Sequence, residues 1–169
     1  MAGQEKDWFT GKYFRVTVDE SGYERVYQRH GVTVLAITED EKIRFIEKTT
    51  TENQTPRIAL VTGYVDDGED PFICAKRELL EEMHCTAEAW MPFISLPMCG
   101  GLKKIQHCYI ARDLRWAENA IQPDLHEQIL GTVDLDFNEV RARVLRGDFD
   151  RSGPDNCFAL LRFLVLEGS

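Results

Sequence analysis

Residues 63–85 read GYVDDGEDPFICAKRELLEEMHC, and this stretch decides the fold of the 169-residue chain. Between Asp66 and Glu82 it holds seven acidic and two basic residues, a balance that makes up more than half of the net charge of −9. Its apolar residues recur with a period near 3.6, which predicts a helix over residues 71–83 with Asp70 as its N-cap. The acidic residues at the end of that helix fall on one arc, and most of its apolar residues fall on the opposite arc.

The acidic arc brings like charges together. Glu78 lies three residues before Glu81 and four before Glu82, so the three carboxylates are neighbours on the helix surface and repel one another. Something cationic should therefore compensate the repulsion. A solvated helix face is the alternative interpretation of an acidic helix, and the spacing of the residues argues against it.

That spacing is specific. Counted from Gly63 to Glu82, the segment follows the pattern G-x₅-E-x₇-R-E-L-x-E-E. Six fixed residues and one aliphatic position arise by chance on the order of 10⁻⁸ times per window. The segment resembles the Nudix box, the loop-helix-loop catalytic motif of the Nudix hydrolase superfamily. The order of strands on both sides is similar to that family's α/β/α sandwich, an α/β fold with a mixed β-sheet.

The resemblance implies a hydrolase that uses Mg²⁺ or Mn²⁺ and acts on a nucleoside diphosphate linked to another group. It implies Glu78 and Glu82 as direct metal ligands and Glu81 as a ligand or a water-bridged partner. The main-chain carbonyl of Thr62 is implied as a further ligand. Hard divalent cations prefer oxygen ligands, so clustered carboxylates on a rigid helix suit this chemistry.

Other positions of the motif receive structural roles from the same resemblance. Arg77 would orient a carboxylate, because it lies four residues before Glu81 and can reach back to Glu69. Gly63 would allow a tight turn of the backbone beside the metal. His84 stands where the family has a glycine that closes the helix in the left-handed conformation. We expect His84 to adopt that conformation at a cost of roughly 1 kcal/mol.

The rest of the sequence predicts strands, two further helices and no domain boundary. The turn-rich residues 19–22 separate two β-rich runs, which predicts an N-terminal hairpin within residues 1–30. No linker or repeat divides the chain, so residues 1–169 are predicted to form one domain. After three β-rich runs and the box, the predicted elements are strands near 88–96 and 105–111, a loop over 113–127, and helices in FNEVRARVLRGDF and CFALLRFLVLEG.

Chain length, the N-terminal hairpin and the C-terminal helix are most similar to the ADP-ribose pyrophosphatase and nucleoside-diphosphate-sugar hydrolase branch. This branch often carries a catalytic glutamate on a mobile loop before the next helix, which points to Glu127 as general base, with Asp124 and Glu118 as alternatives. Its N-terminal strands often pair with a second subunit. The resemblance therefore implies a homodimer in which Tyr27 and Arg29 contact the substrate across the interface.

A glycine-rich loop, CGGLKK, carries two lysines after the strand that follows the box. Lys103 and Lys104 could hold a phosphate or diphosphate there, because ammonium groups and exposed main-chain amides both favour anions. The alternative is an exposed loop whose charges are solvated.

The composition excludes several other classes of protein. Lys and Arg number 20 against 29 Asp and Glu, and the isoelectric point near 4.9 argues against partners such as DNA or an anionic membrane. The first ten residues contain no apolar signal segment, and the aliphatic runs are too short to span a bilayer, so we expect a soluble, cytoplasmic protein. The five scattered cysteines never form C-x-x-C, which indicates neither a disulfide framework nor a zinc ribbon.

Three functions are therefore open at this point. The first is metal-dependent hydrolysis of the diphosphate linkage of ADP-ribose or a nucleoside diphosphate sugar, giving a nucleoside monophosphate and a sugar phosphate. The second is a pyrophosphohydrolase of nucleoside triphosphates or RNA 5′ ends. The third is a nucleotide-binding sensor without catalysis, which the presence of all three box glutamates disfavours.

Overall fold

The computed structural model describes residues 5–50, 55–98, 100–117, 127–149 and 154–167. Within these residues the chain forms strands interspersed with helices, as the sequence predicts for an α/β protein. In chain order they are β1 (Lys6–Thr10), β2 (Phe14–Val18), β3 (Glu24–Gln28), β4 (Gly31–Ile37), β5 (Ile43–Thr50), β6 (Arg57–Ala59), β7 (Val61–Tyr64), α1 (Pro71–Met83), β8 (Cys85–Pro97), β9 (Leu102–Lys103), β10 (Ile105–Trp116), β11 (Glu127–Leu135), α2 (Phe137–Arg146) and α3 (Pro154–Glu167).

The larger of two sheets is mixed. Its strand order is β11-β5-β4-β10-β8, with β6 added to β5 and β7 added to β4. Strand β10 pairs in parallel with β4, from Gln106 opposite Gly31 to Ala111 opposite Ala36, and it pairs antiparallel with β8. The predicted mixed sheet is confirmed.

Helices cover both faces of this sheet. On one face α1 packs over a core that includes Leu79, and on the other α2 and α3 pack over a core that includes Phe163. Because successive residues of a strand point to opposite faces, Val34 and Leu35 of β4 belong to different cores. Every residue of β4 is buried, as expected for a central strand with helices on both sides. The arrangement is the predicted α/β/α sandwich.

The N-terminal strands form a second, smaller sheet with the order β1-β2-β3-β9. The predicted hairpin is present as the antiparallel pair of β2 and β3. Its turn is held by the Asp19 carboxylate, which accepts hydrogen bonds from the main-chain N–H groups of Ser21 and Tyr23. The sequence does not predict β1, because all five of its residues are exposed and its sequence KDWFT lacks the alternation of a half-buried strand.

Helix α1 covers the predicted range. Asp70 caps it by accepting hydrogen bonds from the main-chain N–H groups of Phe72 and Ile73, at 2.8 and 3.3 Å. Both the cap and the helical period are local features, so the sequence is sufficient to predict them. Among the described residues no helix is both long and apolar enough to cross a membrane.

The segment after β10 differs from the prediction. The predicted loop over 113–127 is wrong at both ends, because β10 continues to Trp116 and β11 begins at Glu127. Strand β11 pairs antiparallel with β5, and its register shifts between Ile129 and Gly131. This irregularity interrupts the period-two pattern of apolar residues, which hides the strand in the sequence.

His84 ends α1 in the left-handed conformation, with φ 53° and ψ 33°, as expected. Its main-chain N–H donates to the carbonyl oxygen of Leu80 at 3.1 Å, and its own carbonyl accepts from Ala117 at 2.9 Å. Its ring lies 5.9 Å from that of Trp116, centroid to centroid. A Cβ-bearing residue in this conformation is strained, whereas glycine is not.

We therefore expect His84→Gly to raise the melting temperature by about 2–4 °C, which corresponds to relief of roughly 1 kcal/mol. His84→Ala is the matched control, because it keeps the strain and removes the ring. Thermal unfolding followed by circular dichroism measures both variants. A melting temperature for His84→Gly no higher than that of His84→Ala would show that the conformation is not strained.

Candidate active site

The acidic arc of α1 lies against the sheet and is largely withdrawn from water. The side chains of Glu78, Glu81 and Glu82 are only 12%, 19% and 6% exposed. Burying a carboxylate is unfavourable unless cations or N–H groups compensate its charge. A merely solvated helix face is therefore excluded for these three residues.

Gly63 allows Glu78 to approach the sheet. It lies within β7, opposite Val32 of β4. A Cβ atom built on Gly63 would overlap the carboxylate of Glu78. Gly63 is not among the glycines with positive φ, so the expected tight turn is wrong, and the close approach of Glu78 is what requires glycine here.

Arg77 joins three carboxylates of the box. Its Nε and Nη2 atoms donate to both oxygens of Glu69, at 3.0 and 3.1 Å. Its Nη1 atom donates to Glu78 at 2.7 Å and to Glu81 at 3.1 Å, so both contacts predicted for Arg77 are present. Nη2 also donates to the carbonyl oxygen of Tyr64 at 3.2 Å. The hydrogen bond to Glu69 raises the pKa of Arg77 and lowers the pKa of Glu69, which fixes both in their charged forms.

Glu82 is held from two sides. One oxygen accepts a hydrogen bond from the main-chain N–H of Thr62 at 3.0 Å, and the other accepts from the Nζ atom of Lys48 at 3.4 Å. Lys48 and Glu82 are 4% and 5% exposed, so this ion pair is buried. Lys48 was not among the residues that the sequence indicates. The sequence feature that could have pointed to Lys48 is its position in β5, two residues after Ile46. At this spacing the lysine lies on the face of the strand that contributes to the core under α1.

The electrostatic environment of Glu78 is unfavourable for its charge. Burial, with the like charges of Glu82 and Glu81, raises the pKa of Glu78 to about 7 against the lowering effect of Arg77. Since burial and two like charges outweigh one guanidinium, the carboxylate is undercompensated.

The chemistry of these donors fits a hard divalent cation. The carboxylates of three glutamates lie on α1 where it packs against β7, and carboxylate oxygen is the type of ligand that Mg²⁺ and Mn²⁺ prefer. In the part of the chain that the structure describes, no three His, Cys, Asp or Glu side chains stand at metal-ligand spacing. Arg77 and Lys48 instead hold the carboxylates in place.

The residues expected to bind substrate lie in or next to the small sheet. Tyr27 of β3 and Lys103 of β9 are direct neighbours, and the Tyr27 hydroxyl donates to Glu5 at 2.8 Å. Arg29 contacts the box, where its guanidinium donates to Asp66 at 2.9 Å. Lys104 lies between β9 and β10.

Further contacts connect the small sheet to the start of the box. Gln28 donates to the hydroxyl of Tyr64 at 2.9 Å, and the ring of Tyr13 lies 5.5 Å from that of Tyr64. Together with the Arg29 ion pair, these contacts fix the small sheet beside the loop that carries Glu69.

The structure describes one of the three residues expected to include the general base. Glu127 is the first residue of β11, with its main chain opposite Thr50 of β5, so it begins a strand rather than lying within a loop. Asp124 and Glu118 lie outside the described residues.

Helix α1 carries the glutamates, β7 provides the glycine that Glu78 approaches, and Arg77 links the two elements. This arrangement is of the Nudix type. The family model of the NUDIX domain matches residues 28–143, and the chain belongs to the Nudix hydrolase family. The chain is 30% identical over 142 residues to the methanol dehydrogenase activator of Bacillus methanolicus, which covers 78% of this chain and 75% of that protein. It also resembles the crystal structure of an ADP compounds hydrolase, with a TM-score of 0.72 and 22% identity over 97% of this chain and 90% of that chain. At 22% sequence identity, this similarity is evidence for the fold alone.

Gly63→Ala should destabilise the protein, because the added methyl group displaces Glu78 from a packed position. We expect a loss of about 1–3 kcal/mol, seen as a fall of at least about 2 °C in the melting temperature. Gly131→Ala in β11 is the control, since a Cβ there meets no atom within 4 Å. Equal melting temperatures of the two variants would contradict the close approach of Glu78 to Gly63.

Proposed function

We propose that this chain is a metal-dependent pyrophosphohydrolase that cleaves the diphosphate linkage of ADP-ribose or a nucleoside diphosphate sugar. The products are a nucleoside monophosphate and a sugar phosphate. The observation that carries the proposal is the complete acidic arc of Glu78, Glu81 and Glu82, packed against β7 and organised by Arg77. Because the chain belongs to the Nudix hydrolase family, we interpret this arc as the site that binds the divalent cation.

The cofactor would be Mg²⁺ or Mn²⁺. We assign its ligands to Glu78, Glu81, Glu82 and the main-chain carbonyl of Thr62. A cation held by these residues would supply charge neutralisation on the diphosphate and a lowered pKa of the attacking water. The support for this assignment is the set of hard oxygen donors on one rigid helix and the glycine that lets Glu78 reach the sheet.

The protein's own groups supply position and proton transfer. Arg77 donates hydrogen bonds to Glu69, Glu78 and Glu81, which restrains these carboxylates before substrate binds. Glu127 is the proposed general base that takes the proton of the attacking water, with Asp124 and Glu118 as alternatives.

Substrate recognition is assigned to the small sheet. Arg15, Tyr27 and Lys103 stand side by side on β2, β3 and β9, so one face of the sheet presents an aromatic ring between two cations. Such a face suits a base or sugar next to phosphate. Arg29 and Lys104 complete the proposed set, and Arg29 already bridges this sheet and the box.

The opposite face of the small sheet supports a homodimer. A row of apolar residues crosses all four strands in register, and none of its members belongs to either core. The row consists of Phe9, Val16, Val26 and Leu102. Phe9 is 52% exposed and the neighbouring Phe14 45%, so a second copy of the chain would bury apolar surface here.

The reaction is tested by a hydrolysis screen with Mg²⁺ and with Mn²⁺. The substrates are ADP-ribose, nucleoside diphosphate sugars, dinucleotides, nucleoside triphosphates and an RNA with a 5′-triphosphate. We expect turnover of diphosphate sugars or ADP-ribose, and a loss of at least about 100-fold in Glu82→Gln. Glu88→Gln, an exposed glutamate of β8, is the control that keeps activity.

The screen also separates the alternatives. Turnover of triphosphates or the RNA end alone would replace the proposed substrate class. Nucleotide binding without turnover of any substrate would identify a sensor and overturn the enzymatic proposal.

A second candidate function follows from the 30% identity to the methanol dehydrogenase activator. Under this proposal the chain acts on a dehydrogenase. Adding the chain to a methanol dehydrogenase assay should then raise the rate of methanol oxidation. An unchanged rate, with diphosphate hydrolysis present, would leave hydrolysis as the function.

The general base has its own test. Glu127→Gln should lower kcat by about 10²–10⁴-fold while changing KM little, because proton transfer and not binding is removed. Asp124→Asn and Glu118→Gln, prepared separately, are the matched variants. Unchanged turnover in Glu127→Gln, with a loss in one of the other two, would transfer the role to that residue.

A further inference from the structure

Lys48 places a positive charge beside Glu82, near the C-terminal end of the box. Its Nζ atom lies 3.4 Å from a carboxylate oxygen of Glu82, and both side chains are about 95% buried. Burying an ammonium group is unfavourable unless a carboxylate pairs with it. The contact with Glu82 therefore helps to stabilise the charged lysine in this position.

The sheet fixes where this charge lies. Lys48 stands in β5 between two neighbouring strands, opposite Arg57 of β6 and Ile129 of β11. Its main chain is held on both sides, and its side chain meets α1 through Glu82. The ammonium group is thus part of the rigid framework of the site.

The two basic residues of the cluster have different partners. Arg77 contacts Glu69, Glu78 and Glu81, while Lys48 contacts Glu82. Among these contacts of the described residues, Glu82 is the glutamate that meets the ammonium group.

We propose that Lys48 is a resident cation for Glu82. Its ammonium group offsets the charge of this carboxylate, positions it against the N–H of Thr62, and lowers the affinity of the site for divalent cations. The inference rests on the proposed function only in taking the box as a divalent-cation site. Two cations that share a carboxylate in a poorly solvated site repel each other, and salt screens that repulsion little.

The test is a titration of the nucleotide-free 169-residue chain with Mn²⁺, with free Mn²⁺ measured by electron paramagnetic resonance. Lys48→Met removes charge and hydrogen bond, Lys48→Gln removes the charge alone, and Lys48→Arg keeps both. We expect the Kd for Mn²⁺ to fall about tenfold in the Met and Gln variants and to stay within about twofold of wild type in the Arg variant.

Lys76→Met is the control for general charge. Lys76 lies on the same helix, is exposed, and has its Nζ atom over the ring of Phe72 at 4.3 Å from the centroid. Removing a solvated charge should change the Kd by less than about twofold. An effect of Lys76→Met as large as that of Lys48→Met would overturn the proposal.

The remaining outcomes are equally decisive. An unchanged or higher Kd in the Met and Gln variants shows that Lys48 does not offset Glu82. If Lys48→Met does not fold, Lys48→Gln carries the same expectation, and Mn²⁺ should raise its melting temperature more than that of wild type.

If wild type binds no Mn²⁺, the cation site of the proposed function is wrong and this inference falls with it. Tight binding by wild type with equal Kd values across the series overturns only the role of Lys48.

Discussion

The guanidinium of Arg77 is the group on which the arrangement of the box depends. It donates to three carboxylates and to the carbonyl oxygen of Tyr64, so it connects α1, the preceding loop and the end of β7. Without these bonds, Glu78 and Glu81 would repel each other and turn towards water. A lysine could not replace it, because a single ammonium group lacks the planar set of donors that reaches several acceptors at once.

The sheet provides the second half of this arrangement. Gly63 leaves room for Glu78, and the N–H of Thr62 binds Glu82, so β7 accommodates one glutamate by the absence of a side chain and holds another by its backbone. Strand β7 is itself held by β4, whose residues reach both cores. The geometry of the acidic arc is therefore tied to a strand whose residues are all buried, where packing tolerates little movement.

What the sequence predicts well is what depends on neighbouring residues. The bounds of α1, its Asp70 cap and the left-handed His84 follow from local chemistry, and the spacing of the box places Arg77 beside Glu69 and Glu81. Strand β11 and the contact of Lys48 with Glu82 depend on pairings between distant segments, and a shift of register conceals the pattern of the strand. The sequence predicts glycine at position 63 for a tight turn, whereas the packed helix shows that Glu78 occupies the space of a side chain there.

The small sheet has one consequence for how this protein can change over generations. Its register puts Arg15, Tyr27 and Lys103 on one face and Phe9, Val16, Val26 and Leu102 on the other. Neighbouring codons in β2, β3 and β9 therefore encode opposite surfaces. Point mutations can remodel the polar row while the apolar row is conserved by selection, or the reverse. The polar surface and the apolar surface of the same short strands can thus change independently of each other.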